Sequence, residues 1–278
     1  MSEVSKLARK VAAALAVLLT LAQFRSIAFA SDASFTVPDE SSIPSGPVGD
    51  AIRRGRLLLT DTATQLPEYA GNDLRCSSCH LEAGRRPYAA PWVGIWGVFP
   101  EYRSRNARIN ALEDRINDCF ERSLNGKRLP LDSDDLRAMM SYMHWLSQGV
   151  PTGVSVTGRG FRRIDAPAPP DRGRGRVVYD TRCAACHGPE GQGMAGASGE
   201  ILYPALWGPR SFNVGAGMAR LSTAAAFVKA NMPFHEPGTL TDQEAFDVAA
   251  FFTAQPRPDF SSKHLDWPEG GKPKDARY

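Results

Sequence analysis

Cys76-Ser77-Ser78-Cys79-His80 and Cys183-Ala184-Ala185-Cys186-His187 decide how this chain reads, because one pattern, C-x-x-C-H, occurs twice, once in each half. On a helical turn, cysteines at i and i+3 point the same way, so their thiols can form thioethers with the two vinyl groups of one heme. The histidine at i+4 then faces the iron as proximal ligand. Zinc sites also use C-x-x-C pairs, but both pairs here are followed at once by histidine and lie far apart in the chain. A thioredoxin-like redox pair follows a strand, and neither Asn72-Asp73-Leu74-Arg75 nor Tyr179-Asp180-Thr181-Arg182 has strand character. The pattern predicts two covalently bound heme c groups, anchored by Cys76, Cys79 and His80 and by Cys183, Cys186 and His187.

Outward from the motifs, further landmarks recur in the same order and at nearly the same offset. Trp96-Gly97 returns as Trp207-Gly208, and Leu131-Asp132-Ser133-Asp134-Asp135 as Leu240-Thr241-Asp242-Gln243-Glu244. Such spacing means two copies of one fold unit. Each copy closes in a helix opened by a polar cap, with acids that suit the positive end of the helix dipole. The expected fold is all-α: two tandem class I cytochrome c-like domains, 31–148 and 173–256, joined by a Pro/Gly-rich linker over 149–172. A proline-punctuated C-terminal extension, 257–278, is expected to lie over the surface.

The chain has 278 residues, 42% hydrophobic and 23% charged, which excludes disordered, collagen-like and small disulfide-stapled proteins. Its net charge of +3 sits entirely in the first thirty residues, where Lys6, Arg9, Lys10 and Arg25 oppose Glu3. The remainder is neutral, so nothing marks a nucleic-acid partner. Three of those cations precede an apolar run from Val11 to Ala22, and Ala28-Phe29-Ala30 has the small-x-small form of a cleavage site. A signal peptide cleaved near Ala30 and a periplasmic location are expected. A retained anchor is the alternative, but the run from Val11 to Ala22 falls short of the roughly 20 residues that span a bilayer. No second long apolar stretch predicts stable membrane insertion.

The sixth iron ligands differ between the copies. In the second, Met232 of Asn231-Met232-Pro233, downstream of His187 and shortly before the last helix, resembles the methionine loop of cytochromes c. A core methionine, or ligation by Lys229 or His235, are the alternatives. The first copy has no methionine there: Met139, Met140 and Met143 align with Val248, Ala249 and Phe252 inside the terminal helix and read as core. Cys119 occupies the corresponding stretch, between His80 and that helix. It is the one cysteine not committed to a motif, and it reads either as an iron ligand or as a buried small hydrophobe. Between Arg85 and Arg108 stand five arginines (85, 86, 103, 105 and 108) against Glu101, a local excess that suits a sulfonate-like oxyanion or heme propionates.

With the signal segment, the paired motifs and the Trp-Gly pairs, three stretches carry a resemblance. They are Phe99-Pro100-Glu101-Tyr102-Arg103-Ser104-Arg105, Asp118-Cys119-Phe120-Glu121-Arg122-Ser123-Leu124-Asn125-Gly126, and Leu206-Trp207-Gly208-Pro209 with Ser211-Phe212-Asn213. The chain resembles the diheme thiosulfate dehydrogenases over nearly its whole length. The resemblance implies histidine/cysteine ligation of the first heme, through His80 and Cys119, where two thiosulfates are oxidised to tetrathionate. It implies a histidine/methionine second heme that passes electrons to a soluble cytochrome c or similar acceptor. It also places Arg105, Arg115 and Ser123 around Cys119, Ser123 sharing its helix face at i+4. Some members carry a lysine beside the methionine; Asn231 stands there here, so that variant is not expected. Two other readings compete: a non-catalytic diheme electron carrier, and the cysteine-ligated cytochrome of a multi-protein sulfur-oxidation system.

Overall fold

Six helices of eleven to fourteen residues carry the fold in the computed structural model, which describes residues 32–278: α1 Pro47–Thr60, α2 Leu112–Arg122, α3 Asp134–Leu146, α4 Arg172–Arg182, α5 Leu221–Asn231 and α6 Asp242–Ala254. They form two sets of three in the same order; α2 and α5 are equal in length, and so are α3 and α6. The predicted export segment, 1–30, lies outside the described residues. No helix among the described residues is long and apolar enough to cross a membrane.

The terminal helix of each set begins where the polar caps predict. Ser133 accepts a hydrogen bond from the Leu136 amide at 3.3 Å, and Thr241 exchanges reciprocal bonds with Glu244, a capping box. Leu136, Met139, Tyr142, Met143 and Leu146 of α3 are buried, so the methionines at 139 and 143 are core. α1 crosses α3, and α4 crosses α6, each at a glycine. A Cβ on Gly55 would stand 1.9 Å from the Ala138 carbonyl oxygen, and one on Gly175 1.9 Å from that of Asp247. Only glycine permits these approaches.

One landmark of the repeat shifts. Trp207 packs on Tyr179 and edge-on against Phe251 of α6, and it fills the space that a Cβ on Gly191 would need. Trp92, not Trp96, makes the matching contacts: it meets Tyr142 of α3, the counterpart of Phe251, edge-on at 6.2 Å, and Gly84 approaches its ring. Trp96 is 41% exposed. The second copy inserts an antiparallel hairpin, Met194–Ala195 paired with Ile201–Tyr203, between motif and tryptophan, which moves the tryptophan later in sequence. The first copy carries its own hairpin in a different place, Glu101–Arg103 paired with Arg108–Asn110.

Residues 32–278 pack as one unit. The intervening segment is fastened to the first copy: Val156 is buried and bridges Ala33, and the Gly158 and Gly160 carbonyls accept from the Tyr88 and Ala90 amides at 2.7 and 2.9 Å. Across the copies, the Asn72 side-chain amide donates to the Ser211 carbonyl, and the Asn213 side-chain amide to that of Glu121. The segment 257–278 is half-buried or exposed apart from Phe260 and Trp267, whose buried side chains anchor it.

Candidate functional site

The second motif opens a cavity of about 510 Å³, lined by Cys183, Cys186, His187 and Met232 and closed by apolar side chains such as Phe227, Val248 and Phe252. Its histidine is oriented from behind. The Nδ1 of His187 meets the Pro204 carbonyl at 2.9 Å, which fixes the ring and leaves Nε2 free for a metal. Burial holds its pKa below the ordinary imidazole value, so the ring is neutral, as a ligand must be. Met232 caps the end of α5, its amide bonded to the Val228 carbonyl at 2.9 Å. Two thiols, a locked imidazole and a thioether around one apolar space fit heme c.

The two residues weighed against Met232 stand differently. The Lys229 ammonium donates to the Leu240 carbonyl at 2.5 Å and pairs with Asp242 at 3.4 Å, which commits it to the protein. His235 lines the same cavity but is exposed beside Phe234. Asn231 carries a role that sequence reading did not find. Its amide donates to the Tyr88 carbonyl of the first copy at 3.2 Å, so the methionine loop is pinned to the other domain.

The first motif repeats the histidine arrangement. The Nδ1 of His80 meets the Ala90 carbonyl at 2.5 Å, and burial lowers its pKa to about 4. Trp92 packs against the ring at 5.0 Å. The loop that carries this carbonyl is costly: Glu82, Ala83, Tyr88 and Ala90 all have φ between 48° and 60°, where side chains other than glycine are disfavoured. In the second copy glycines 188, 191 and 193 supply the equivalent turns.

Cys119 lies in the last turn of α2, with Cys76 and Cys79 opposite. Burial raises both motif thiols to about 12, and the neighbouring Cys119 adds to this at each. Arg115, one helical turn earlier, donates from Nη1 to the Cys119 sulfur at 2.8 Å. The attraction of Cys119 raises the pKa of this arginine, burial opposing it, so the guanidinium stays charged beside the sulfur. Ser123 follows as the C-cap of α2, and among the described residues its hydroxyl makes no hydrogen bond. Arg105, at the turn of the first hairpin, makes no hydrogen bond to Cys119 among the described residues. Its Nη1 donates to the Gly215 carbonyl at 2.6 Å.

Both copies fit a known domain. A family model described as SoxA/TsdA, cytochrome c domain, matches residues 61–152, and one described as cytochrome c matches 173–254. The molecule is a cytochrome of two c-type domains that carries two heme c groups. A thiosulfate dehydrogenase of Psychrobacter arcticus is 50% identical over 241 residues, 87% of this chain and 74% of that protein. One of Allochromatium vinosum is 49% identical over 231 residues, 82% of this chain and 86% of that protein. The solved thiosulfate dehydrogenase TsdBA from Marichromatium purpuratum, in its as-isolated form, has 43% identity and a TM-score of 0.78 over 81% of this chain. This chain spans 50% of that longer one. The chain belongs to the thiosulfate dehydrogenase family.

Proposed function

We propose that the protein oxidises two thiosulfates to tetrathionate at the first-copy site, with Cys119 as both iron ligand and reacting sulfur. One observation carries this reading: the charged Arg115 guanidinium lies 2.8 Å from the Cys119 sulfur, in the space shared by Cys76 and Cys79. His80 and Cys119 would hold the first iron, His187 and Met232 the second.

The Cys119 thiolate forms a sulfur–sulfur bond with the terminal sulfur of one thiosulfate, and two electrons leave. When bound, the two hemes supply one-electron acceptors for this step and a route to an external soluble cytochrome. A second thiosulfate then attacks the outer sulfur of the cysteine adduct. The bond to Cys119 breaks, the thiolate returns, and tetrathionate departs with its two negative charges, as in thiol–disulfide exchange. Arg115 and Arg105 offset the repulsion between two dianions, and the Ser123 hydroxyl donates to a substrate oxygen. Run backwards, the same steps reduce tetrathionate. The signal segment places this chemistry in the periplasm after cleavage near Ala30.

Cys119→Gly separates this reading from an electron carrier without substrate chemistry. Thiosulfate turnover is expected to vanish while both hemes stay attached, and full retention of activity overturns the proposal. Thiolate ligation in a low-temperature paramagnetic resonance spectrum, lost in the same variant, checks the ligand assignment. Turnover by the purified protein alone, with initial rates measured from thiosulfate and from tetrathionate, separates it from a component that needs a carrier protein.

A further inference from the structure

The segment 257–278 contacts two arginines of the first copy, Arg105 of the hairpin turn and Arg122 of α2. The Asp266 side chain is only 3% exposed, and its two oxygens accept a forked pair of bonds from Arg122, both at 2.8 Å. Arg122 is three residues beyond Cys119, at the end of α2, and it stacks on Phe260 at 4.3 Å. The same carboxylate lies 3.7 Å from Nε of Arg105. Trp267 grips Arg105 twice: its amide donates to the Arg105 carbonyl at 2.6 Å, and its ring lies under the guanidinium at 4.8 Å. Glu269 accepts from the Tyr102 hydroxyl at 2.9 Å, which ties down the other arm of the same hairpin.

A carboxylate buried between two guanidinium groups is costly unless it is paired, and here the pairing fixes a geometry. With Nη1 on Gly215 and Nε facing Asp266, Nη2 of Arg105 makes no hydrogen bond among the described residues, so one edge of the fork stays available. Arginine carries a large rotamer entropy, and stacking on an indole removes much of it before any ligand arrives. Repulsion between Arg105 and Arg122 would otherwise drive the two cations apart, and burial together with that repulsion already lowers the Arg105 pKa.

We infer that the segment 257–278 is a strap that presents Arg105 to the anionic substrate of the first-copy site, with Asp266 and Trp267 as its positioning residues. This rests on the reading that Arg105 contacts thiosulfate. Neither residue touches the reacting sulfur atoms; both act through Arg105, and Arg122 holds Asp266 in place.

The test is steady-state thiosulfate oxidation by the diheme protein carrying Asp266→Asn, Trp267→Ala or Trp267→Phe. Loss of presentation weakens substrate binding before it affects the reacting sulfur, so Asp266→Asn and Trp267→Ala should raise KM about tenfold with kcat within about twofold. Trp267→Phe, which keeps an aromatic platform, should restore KM to near the parent value. Heme content and the visible spectrum should match the parent in all three. An Asp266→Asn protein with both hemes and an unchanged KM overturns the inference, as does a fall in kcat with KM unmoved. If Asp266→Asn fails to load heme, the Trp267 pair decides: equal KM values for Ala and Phe overturn it. A parent protein that does not oxidise thiosulfate brings down the underlying reading and the strap with it. Arg105→Ala decides between the two failures: a raised KM there, beside unchanged KM in the Asp266 and Trp267 variants, brings down the strap alone, and an unchanged KM there brings down the Arg105 reading with it.

Discussion

The two copies use one scaffold and place Cys119 and Met232 one helical turn apart. α2 and α5 align end to end, Leu112 against Leu221, which sets Cys119 against Val228 and Ser123 against Met232. The second copy thus offers its sulfur from the residue that caps the helix, and the first from inside the last turn on the same face. Their surroundings differ just as sharply. Met232, a neutral thioether, faces an apolar cavity, whereas Cys119 has a guanidinium on its sulfur. With the sulfur one turn earlier, the cap position carries a hydroxyl, Ser123. One repeat thus sets its sulfur in an apolar space and the other sets it against a cation.

Cys119→Gly breaks the comparison most severely, with thiosulfate oxidation expected to fall by about a thousandfold or more while the second copy keeps its spectrum. The shared scaffold is tested next. Gly55→Val and Gly175→Val each force a side chain into a carbonyl 1.9 Å away, and each should cost about 3 kcal/mol in a denaturant titration. A large cost at one glycine and none at the other would show that the copies are not held alike. Met232→Leu removes the thioether but keeps the volume. Stopped-flow spectra should then show normal reduction of the first heme by thiosulfate and a delivery to the external cytochrome slowed by about tenfold, because the axial ligand sets the potential. Ser123→Ala is the mildest change. Its hydroxyl has no partner within the described protein, so stability should hold while KM rises about fivefold, the worth of one hydrogen bond of about 1 kcal/mol.

The same pairing of copies shows how far the sequence could be read. Both C-x-x-C-H motifs, the capped terminal helices and the core methionines at 139 and 143 were legible because each rests on local spacing. The leading helices α1 and α4 were not, since their arginines and glycines mask the apolar stripe, and the glycines that matter are there for contacts with α3 and α6. Sequence offset pairs Trp96 with Trp207; a hairpin inserted in one copy displaces the equivalence to Trp92. The left-handed residues around the His80 loop carry no sequence mark, because Glu82, Ala83, Tyr88 and Ala90 are not residues that announce such turns.

The sequence by itself determined that this is a duplicated, covalently heme-bearing chain whose fifth cysteine needs another explanation. Thioether attachment and proximal ligation require fixed residue types at fixed short spacing, and a duplication repeats them. Only the tertiary structure decided that Arg115 lies on the sulfur of that cysteine and that Arg105 and Arg122 are held by Asp266 from a distant segment of the chain. Charge pairs, stacking and the seating of one copy on the other are long-range contacts, and composition or periodicity records them only as polar residues with no local purpose.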